Sequence, residues 1–132
     1  MMTTRTARLL FLLLIPLLVM ATPLGDLDDI ATAIRKGNAK GLSAHFDSMV
    51  ELKMDKKEGT YSKAQAEQIV KDFFSQYPPT SFSFVHDGPS AGKNASYAIG
   101  KYVSGSKKFR TSVYLRKKGD QMVIQEISFE HE

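Results

Sequence analysis

Apolar residues recur with a helical period early in the chain. In residues 25–38 they fall at positions i, i+3, i+4 and i+7, as Leu27, Ile30, Ala31 and Ile34. This spacing predicts an amphipathic helix, with Asp26 as its N-cap and Gly37 at its end. Asn38 then caps a second, shorter helix.

A third helix is predicted over residues 61–79. Ser62 and Gln65 have the spacing of a capping box, and Pro78 stops the helix. The apolar residues between them recur at helical spacing over three turns. They are Ala66, Ile69, Val70, Phe73, Phe74 and Tyr77.

Elsewhere the apolar period is two, which predicts strands. The predicted strands are Met49–Met54, Ser81–His86, Ala95–Val103, Lys108–Lys117 and Gln121–Phe129. The charged segment Asp55–Gly59 is predicted to be a solvated loop. Helices that precede closely spaced strands indicate an α+β fold. We expect a strongly bent antiparallel sheet of four to five strands, wrapped on two to three N-terminal helices.

The last loop decides which side chains share a sheet face, because a shift of one residue moves a whole strand to the other side. Residues 117–119 suit a three-residue loop, whose last position is left-handed and favours glycine. This register places Glu126 opposite Arg110, as a structural ion pair. A two- or four-residue loop would place Glu126 opposite Thr111 or Phe109, and would make it the best catalytic candidate in the chain.

The three-residue loop also separates two faces of the hairpin. The apolar members of the face toward the helices are Phe109, Val113, Leu115, Val123, Ile127 and Phe129. The other face carries Arg110, Ser112, Tyr114, Arg116, Met122, Ile124, Glu126 and Ser128. This second face is partly apolar, which is unusual for a surface that meets only water. It predicts either a wall that contacts a ligand or a contact with a second subunit.

The first 21 residues have the pattern of a cleaved signal peptide. Arg5 and Arg8 precede the apolar stretch Leu9–Ala21, which ends in a small-residue cleavage site. A transmembrane anchor needs about 20 apolar residues, whereas this stretch has 13 and contains Pro16. We therefore expect an exported protein, periplasmic or extracellular, with no stable membrane anchor after cleavage. Residues 22–132 are expected to form one domain.

Composition narrows the chemistry. The chain has no cysteine, so neither disulfides nor thiolate metal sites are expected. Its three histidines, His45, His86 and His131, lack the spacing of metal ligands, and no cofactor motif is present. Removing Arg5 and Arg8 with the signal peptide lowers the formal net charge from +4 to +2. That small charge argues against a nucleic-acid partner.

Several segments resemble known proteins. The order of elements, with the segment Lys36–Phe46 at the end of the first helix, resembles the nuclear transport factor two-like superfamily. Thr60–Pro79, Phe84–Gly88, Ser96–Tyr102 and Val123–Glu130 are similar to a family of small exported bacterial proteins catalogued as a domain of unknown function. The resemblance implies a cone-shaped sheet wrapped around helices, often dimeric, with a pocket between sheet and long helix. The superfamily includes isomerases and dehydratases, but fold does not determine function.

Two functions follow as hypotheses. The first is a non-catalytic module that binds a small apolar ligand with Phe73, Phe74, Tyr77 and Tyr102, or forms a homodimer through a sheet face. The alternative is a small acid/base enzyme, of isomerase or dehydratase type, that uses a pocket carboxylate or histidine. Its candidate residues are His86, Asp87, Tyr114 and Glu126. Tyr102 and Tyr114 could donate to an oxyanion.

Overall fold

The computed structural model describes residues 23–132 except Lys93, and the side chains from residue 25 onward with the same exception. The predicted signal peptide, residues 1–21, lies outside the described residues. The helices are α1 (Pro23–Arg35), α2 (Ala39–Ser43) and α3 (Lys63–Gln76). The strands are β1 (Phe46–Met54), β2 (Lys57–Ser62), β3 (Ser81–Pro89), β4 (Ala95–Ser104), β5 (Lys107–Lys118) and β6 (Gln121–His131). No helix in this part of the chain is long and apolar enough to cross a membrane.

Local sequence explains most of the helix ends. The Asn38 side chain accepts a hydrogen bond from the Gly41 amide and caps α2, and Ser62 with Gln65 forms a capping box at α3. Gly37 has a φ of 63° and ends α1. The prediction that Asp26 is the N-cap of α1 was wrong, because α1 begins at Pro23 and Asp26 lies in its first turn.

The sheet has six strands in the order β2-β1-β6-β5-β4-β3, rather than the four to five that were predicted. The missed strand is β2, which reverses direction from β1 through a turn at Asp55 and Lys56. The alternation of apolar and polar residues in β2 is weak, because its side chains are mostly polar. Polar side chains are usual in an edge strand, which has one free side. The sheet is also not wholly antiparallel, since β1 runs parallel to β6.

One face of the sheet packs on the helices and forms the core. Helix α3 lies against β1 and β2, and α1 lies against β3 and β6. The centre of the core is a cluster of aromatic rings around Phe73, whose ring centroid lies 4.7 Å from that of Phe129 and 5.2 Å from that of Phe109. We call the opposite, solvent-facing side of the sheet the outer face.

The predicted register of the last hairpin was wrong. Lys118 pairs with Gln121, so the loop has two residues, and Gly119 takes a φ of 65° within it. Arg110 lies opposite Glu130, and Glu126 lies opposite Tyr114. The predicted ion pair between Arg110 and Glu126 therefore does not form across this ladder.

A β-bulge explains which face each residue of β6 takes. The pairing shifts by one residue between Tyr114 and Leu115, which leaves Gln125 as the extra residue of β6. Before the bulge Ile124 is fully buried, although the predicted register placed it on the outer face. From Glu126 onward the residues of β6 take the faces that were predicted for them. Ile127 is therefore buried, and Glu126 points outward. The bulge thus cancels the effect of the shorter loop on Glu126.

Candidate functional site

A cavity lies between the second half of α3 and the turn that joins β1 to β2. Its volume is about 540 Å³ and it is partly open to solvent. The residues that line it are Met54, Asp55, Lys56, Lys57, Gln68, Ile69, Asp72, Phe73, Gln76 and Tyr77. This volume lies within the range of small-molecule sites.

The helical period of α3 gives this cavity one apolar and one polar side. Ile69, Phe73 and Tyr77 recur at intervals of four residues and face the core side of the cavity. The Phe73 ring is held in place by Tyr77, at a centroid distance of 5.2 Å. Gln68, Asp72 and Gln76 form a parallel row, and all three are exposed at the rim. An apolar floor with a polar rim can bind a molecule that has an apolar body and a polar end.

Two further residues lie near the mouth of the cavity. Nζ of Lys107 lies 6.0 Å from the centre of the Tyr77 ring, within reach of a cation–π contact. His131 Nε2 lies 3.8 Å from Asp55 Oδ1, and its ring centroid lies 5.9 Å from that of Tyr77. None of these contacts is visible in the sequence, because the β1–β2 turn, the end of α3, the start of β5 and the end of β6 are distant in the chain and meet only in the folded protein.

The predicted ligand-binding residues divide into two groups. Phe73 and Tyr77 line the cavity, and Phe74 and Tyr102 pack in the core with stacked rings 6.1 Å apart. The Tyr102 hydroxyl donates a hydrogen bond to the Tyr77 carbonyl. Burial raises the pKa of Tyr102 well above its ordinary value of 10. The hydrogen bond from Tyr102 to Tyr77 holds the end of α3 in place, and the Tyr102 hydroxyl is occupied by this contact.

A second recess, of about 360 Å³, lies on the outer face. Its lining residues are Met49, Glu51, Thr60, Tyr114, Gln125 and Glu126. Glu51 and Glu126 are neighbours across the parallel β1–β6 ladder. The hydrogen bond between the two carboxyl groups, partial burial and the Glu51 charge together raise the pKa of Glu126 from 4.5 to about 7, and the Lys53 charge opposes them. The nearby Glu51 carboxylate therefore favours the protonated form of Glu126.

The catalytic candidates are not gathered in the large cavity. Glu126 and Tyr114 lie side by side on the outer face, and Tyr114 has Tyr97 as its other neighbour. His86 Nε2 and the Tyr97 hydroxyl are 2.5 Å apart. Asp87 lies elsewhere, in a small cleft of about 90 Å³ against α1. Sequence reasoning missed Glu51 as the partner of Glu126, because nothing local indicates that β1 and β6 are neighbours.

Within residues 25–132, Lys93 aside, no three His, Asp or Glu residues are grouped so that they could hold a metal ion. The polar groups of both recesses are carboxylates, amides, hydroxyls and amines. Such groups bind small organic ligands by hydrogen bonds and charge.

Solved structures share this fold. The crystal structure of a DUF4783 family protein from Bacteroides ovatus is 23% identical, with a TM-score of 0.73, and the match covers 79% of this chain and 93% of that one. The DUF4783 family protein from Bacteroides uniformis is 25% identical, with a TM-score of 0.73 and coverage of 80% and 95%. A Nostoc punctiforme protein of unknown function with a cystatin-like fold is 9% identical, with a TM-score of 0.66 and coverage of 83% and 89%.

The comparison with protein families agrees with the structural comparisons. No curated protein matches the chain. A nuclear transport factor two-like protein of unknown function from Shewanella baltica also shares the fold, with a TM-score of 0.62 at 11% identity over 83% of this chain and 90% of that one. The family described as "Domain of unknown function (DUF4783)" matches residues 27–130. The resemblance seen in the sequence is therefore confirmed, and the chain belongs to the DUF4783 family, with a nuclear transport factor two-like fold.

Proposed function

We propose that this protein is a non-catalytic module that binds a small ligand in the cavity beside α3. The observation that carries the proposal is the combination of volume and lining, about 540 Å³ with apolar side chains on one side and a polar rim on the other. Phe73 is 4% exposed and still lines this cavity.

The ligand that fits this lining is amphipathic. Ile69, Phe73 and Tyr77 offer contacts to an aliphatic or aromatic body. Lys56, Lys57 and Asp72 lie around the same cavity, so a polar or charged end group can be held at the rim. Binding is favoured over the acid/base alternative because Glu126, Tyr114 and His86 lie on the outer face, away from this cavity.

A fluorescent probe tests the cavity. Anilinonaphthalene sulfonate has an aromatic body and a charged end, and we expect saturable binding at one site per chain. Replacing Gln68, an exposed residue that lines the cavity, by tryptophan should fill the space and weaken binding by about tenfold or more, which corresponds to roughly 1.4 kcal/mol. The control is Lys71→Trp on α3, since Lys71 is exposed and does not line the cavity.

Two results would count against the cavity. Equal binding by wild type, Gln68→Trp and Lys71→Trp would show that the probe sits elsewhere. Native mass spectrometry of the purified protein adds an independent test, because a ligand retained from the cell should be displaced by the probe. A retained ligand that persists in Gln68→Trp would place the binding site outside this cavity.

We propose further that the outer face mediates self-association. Its two halves carry opposite charge. On β2, β1 and β6 the outward acidic residues are Glu58, Glu51, Glu126 and Glu130, with Lys53 as the exception. On β4 and β5 the outward charged residues are Lys101, Lys108, Arg110, Arg116 and Lys118. A two-fold axis near the β5–β6 boundary would place the acidic half of one copy on the basic half of the other.

Apolar side chains support the same surface. Met49 is 53% exposed and Tyr114 is 41% exposed, and both line the recess on the outer face. Sedimentation velocity should show a dimer that weakens as salt is added. Tyr114→Lys should shift it toward monomer, whereas Ser75→Lys on the exposed side of α3 should not. A wild-type protein that stays monomeric at high concentration and low salt would refute this proposal.

Export is the remaining part of the proposed function. It depends on residues 1–21, whose charged start, apolar stretch and small-residue end are typical of a signal peptide. Fractionation of the native host followed by N-terminal sequencing tests it. We expect a mature chain that begins at Thr22 outside the cytoplasm, and an uncleaved chain in the cytoplasm would contradict it.

A further inference from the structure

The Glu51–Glu126 pair lies inside the surface proposed for self-association. The two residues are opposite each other on β1 and β6, and both line the recess on the outer face. Tyr114, which flanks Glu126 on β5, is the exposed aromatic residue of that recess. A partner that covers the outer face would therefore cover the carboxyl pair as well.

The charges around the pair leave it poorly compensated in the free chain. From β1, Lys53 attracts it, but Lys53 lies opposite Glu58 of β2. From β5, Tyr114 presents an aromatic ring beside Glu126, and Arg110 lies opposite Glu130 instead.

Arg116 also faces outward on β5, but Lys53 is the positive charge that lowers the pKa of Glu126. The other carboxylate beside the recess, Asp47, is bound by Lys118 at 2.9 Å. Gln125, the bulge residue, extends its amide to Asp47 at 3.5 Å. Because the Lys118 ammonium and the Gln125 amide both contact Asp47, neither group is directed at the Glu51–Glu126 pair. Two carboxylates therefore face each other with weak compensation, and keeping one proton between them relieves their repulsion.

We propose that the Glu51–Glu126 pair couples self-association to proton release. In the free chain the pair holds one shared proton, and the basic half of a second copy replaces that proton when it covers the recess. The O–H bond of the shared carboxyl group breaks, the proton passes to solvent, and the second carboxylate is compensated by a guanidinium or ammonium group. This inference rests on the self-association proposed above, and it adds a regulatory role for pH.

The direction of the pH effect follows from linkage. A dimer that holds fewer protons than two free chains gains stability as the pH rises. The gain is confined to the range in which the free pair still holds its proton, which ends at about pH 7 because the pKa of Glu126 in the free chain is about 7. Association should therefore strengthen up to neutral pH and change little above it.

The experiment is a series of sedimentation equilibrium measurements on the mature wild-type chain, at constant ionic strength. We expect the dimer dissociation constant to fall between about pH 5.5 and about pH 8, by up to about 30-fold for each chain that releases its proton and so by up to on the order of 1000-fold for the two chains. Glu126→Gln keeps a neutral group that can donate to Glu51. It should associate with little pH dependence over this range. Glu130→Gln is the matched control on the same strand, and it should keep the wild-type pH dependence.

The same sedimentation series distinguishes the effect of the Glu51–Glu126 pair from that of other titratable groups on the outer face. His86 lies on the outer face and bonds to Tyr97, and a histidine loses positive charge as the pH rises. That loss would weaken contact with an acidic half, so its sign is opposite to the one proposed. Glu126→Gln leaves His86 unchanged, so a pH dependence that survives in this variant cannot come from the pair.

Each outcome decides the proposal. Association that strengthens toward neutral pH in wild type and Glu130→Gln, and not in Glu126→Gln, supports it. Association that is independent of pH, weakens with rising pH, or varies equally in Glu126→Gln overturns the proton coupling and leaves self-association standing. Association at no pH overturns both.

Discussion

Replacing Glu126 by glutamine should stabilise the monomer at high pH and leave it unchanged at low pH. The folded-state pKa of Glu126 is about 7, above its ordinary value of 4.5. The folded chain therefore binds this proton more tightly than the unfolded chain, and the free energy of unfolding falls as the pH rises from 4.5 to about 7. The full shift corresponds to roughly 3 kcal/mol. Because Glu126 is only partly buried, solvent screening reduces the expected effect to about 1 to 2 kcal/mol.

Urea unfolding at low protein concentration measures this effect without interference from association. Above about pH 7.5, Glu126→Gln should be more stable than wild type by about 1 to 2 kcal/mol, and the two should coincide near pH 4. Glu130→Gln is the control, because Glu130 lies opposite Arg110 and its replacement removes an attraction. A glutamine variant that is less stable than wild type at high pH would refute the reasoning, since it would mean that Glu126 is stabilised as a carboxylate.

Two other substitutions test the packing of the sheet, each by the same unfolding measurement. Thr111 is fully buried and its hydroxyl has no hydrogen-bond partner among the described residues, so Thr111→Val should stabilise the fold by about 1 kcal/mol. A loss of stability would mean that the hydroxyl is hydrogen-bonded. Gly100 has no room for a methyl group, because a Cβ there would lie 2.7 Å from the Phe82 ring and 2.9 Å from the Ser83 carbonyl oxygen. Gly100→Ala should therefore cost about 1 to 3 kcal/mol, and a neutral result would show that β3 can move aside.

The helices were predictable because their signals are local. The capping residues Asn38 and Ser62 are followed by apolar residues at helical spacing, and a glycine or a pair of prolines ends the helix. The same spacing predicts the apolar face of α3, which includes Phe73 and Tyr77, and these two residues line the cavity. It could not tell these two from Phe74 and Tyr102, because lining a cavity and filling a core require the same apolar surface.

The register of the last hairpin was harder to predict, since two local features act on it together. A glycine at position 119 suits more than one loop length, and the sequence has no strong marker for a bulge at Gln125. The predicted face of Glu126 was correct although the predicted loop and partner were wrong. The reason is that a shorter loop and one extra residue in the strand offset each other in side-chain alternation.

The sequence by itself determined the α+β class, the three helices, the alternation of the long strands and the resemblance to this family. All of these depend on residues that are near one another in the chain. Only the tertiary structure decided that β1 lies parallel to β6, which brings Glu51 beside Glu126 from 75 positions away. It also decided that the β1–β2 turn closes one side of the cavity at α3. Such contacts depend on how the whole sheet is ordered and bent, and no local pattern of hydrophobic and polar residues specifies that order.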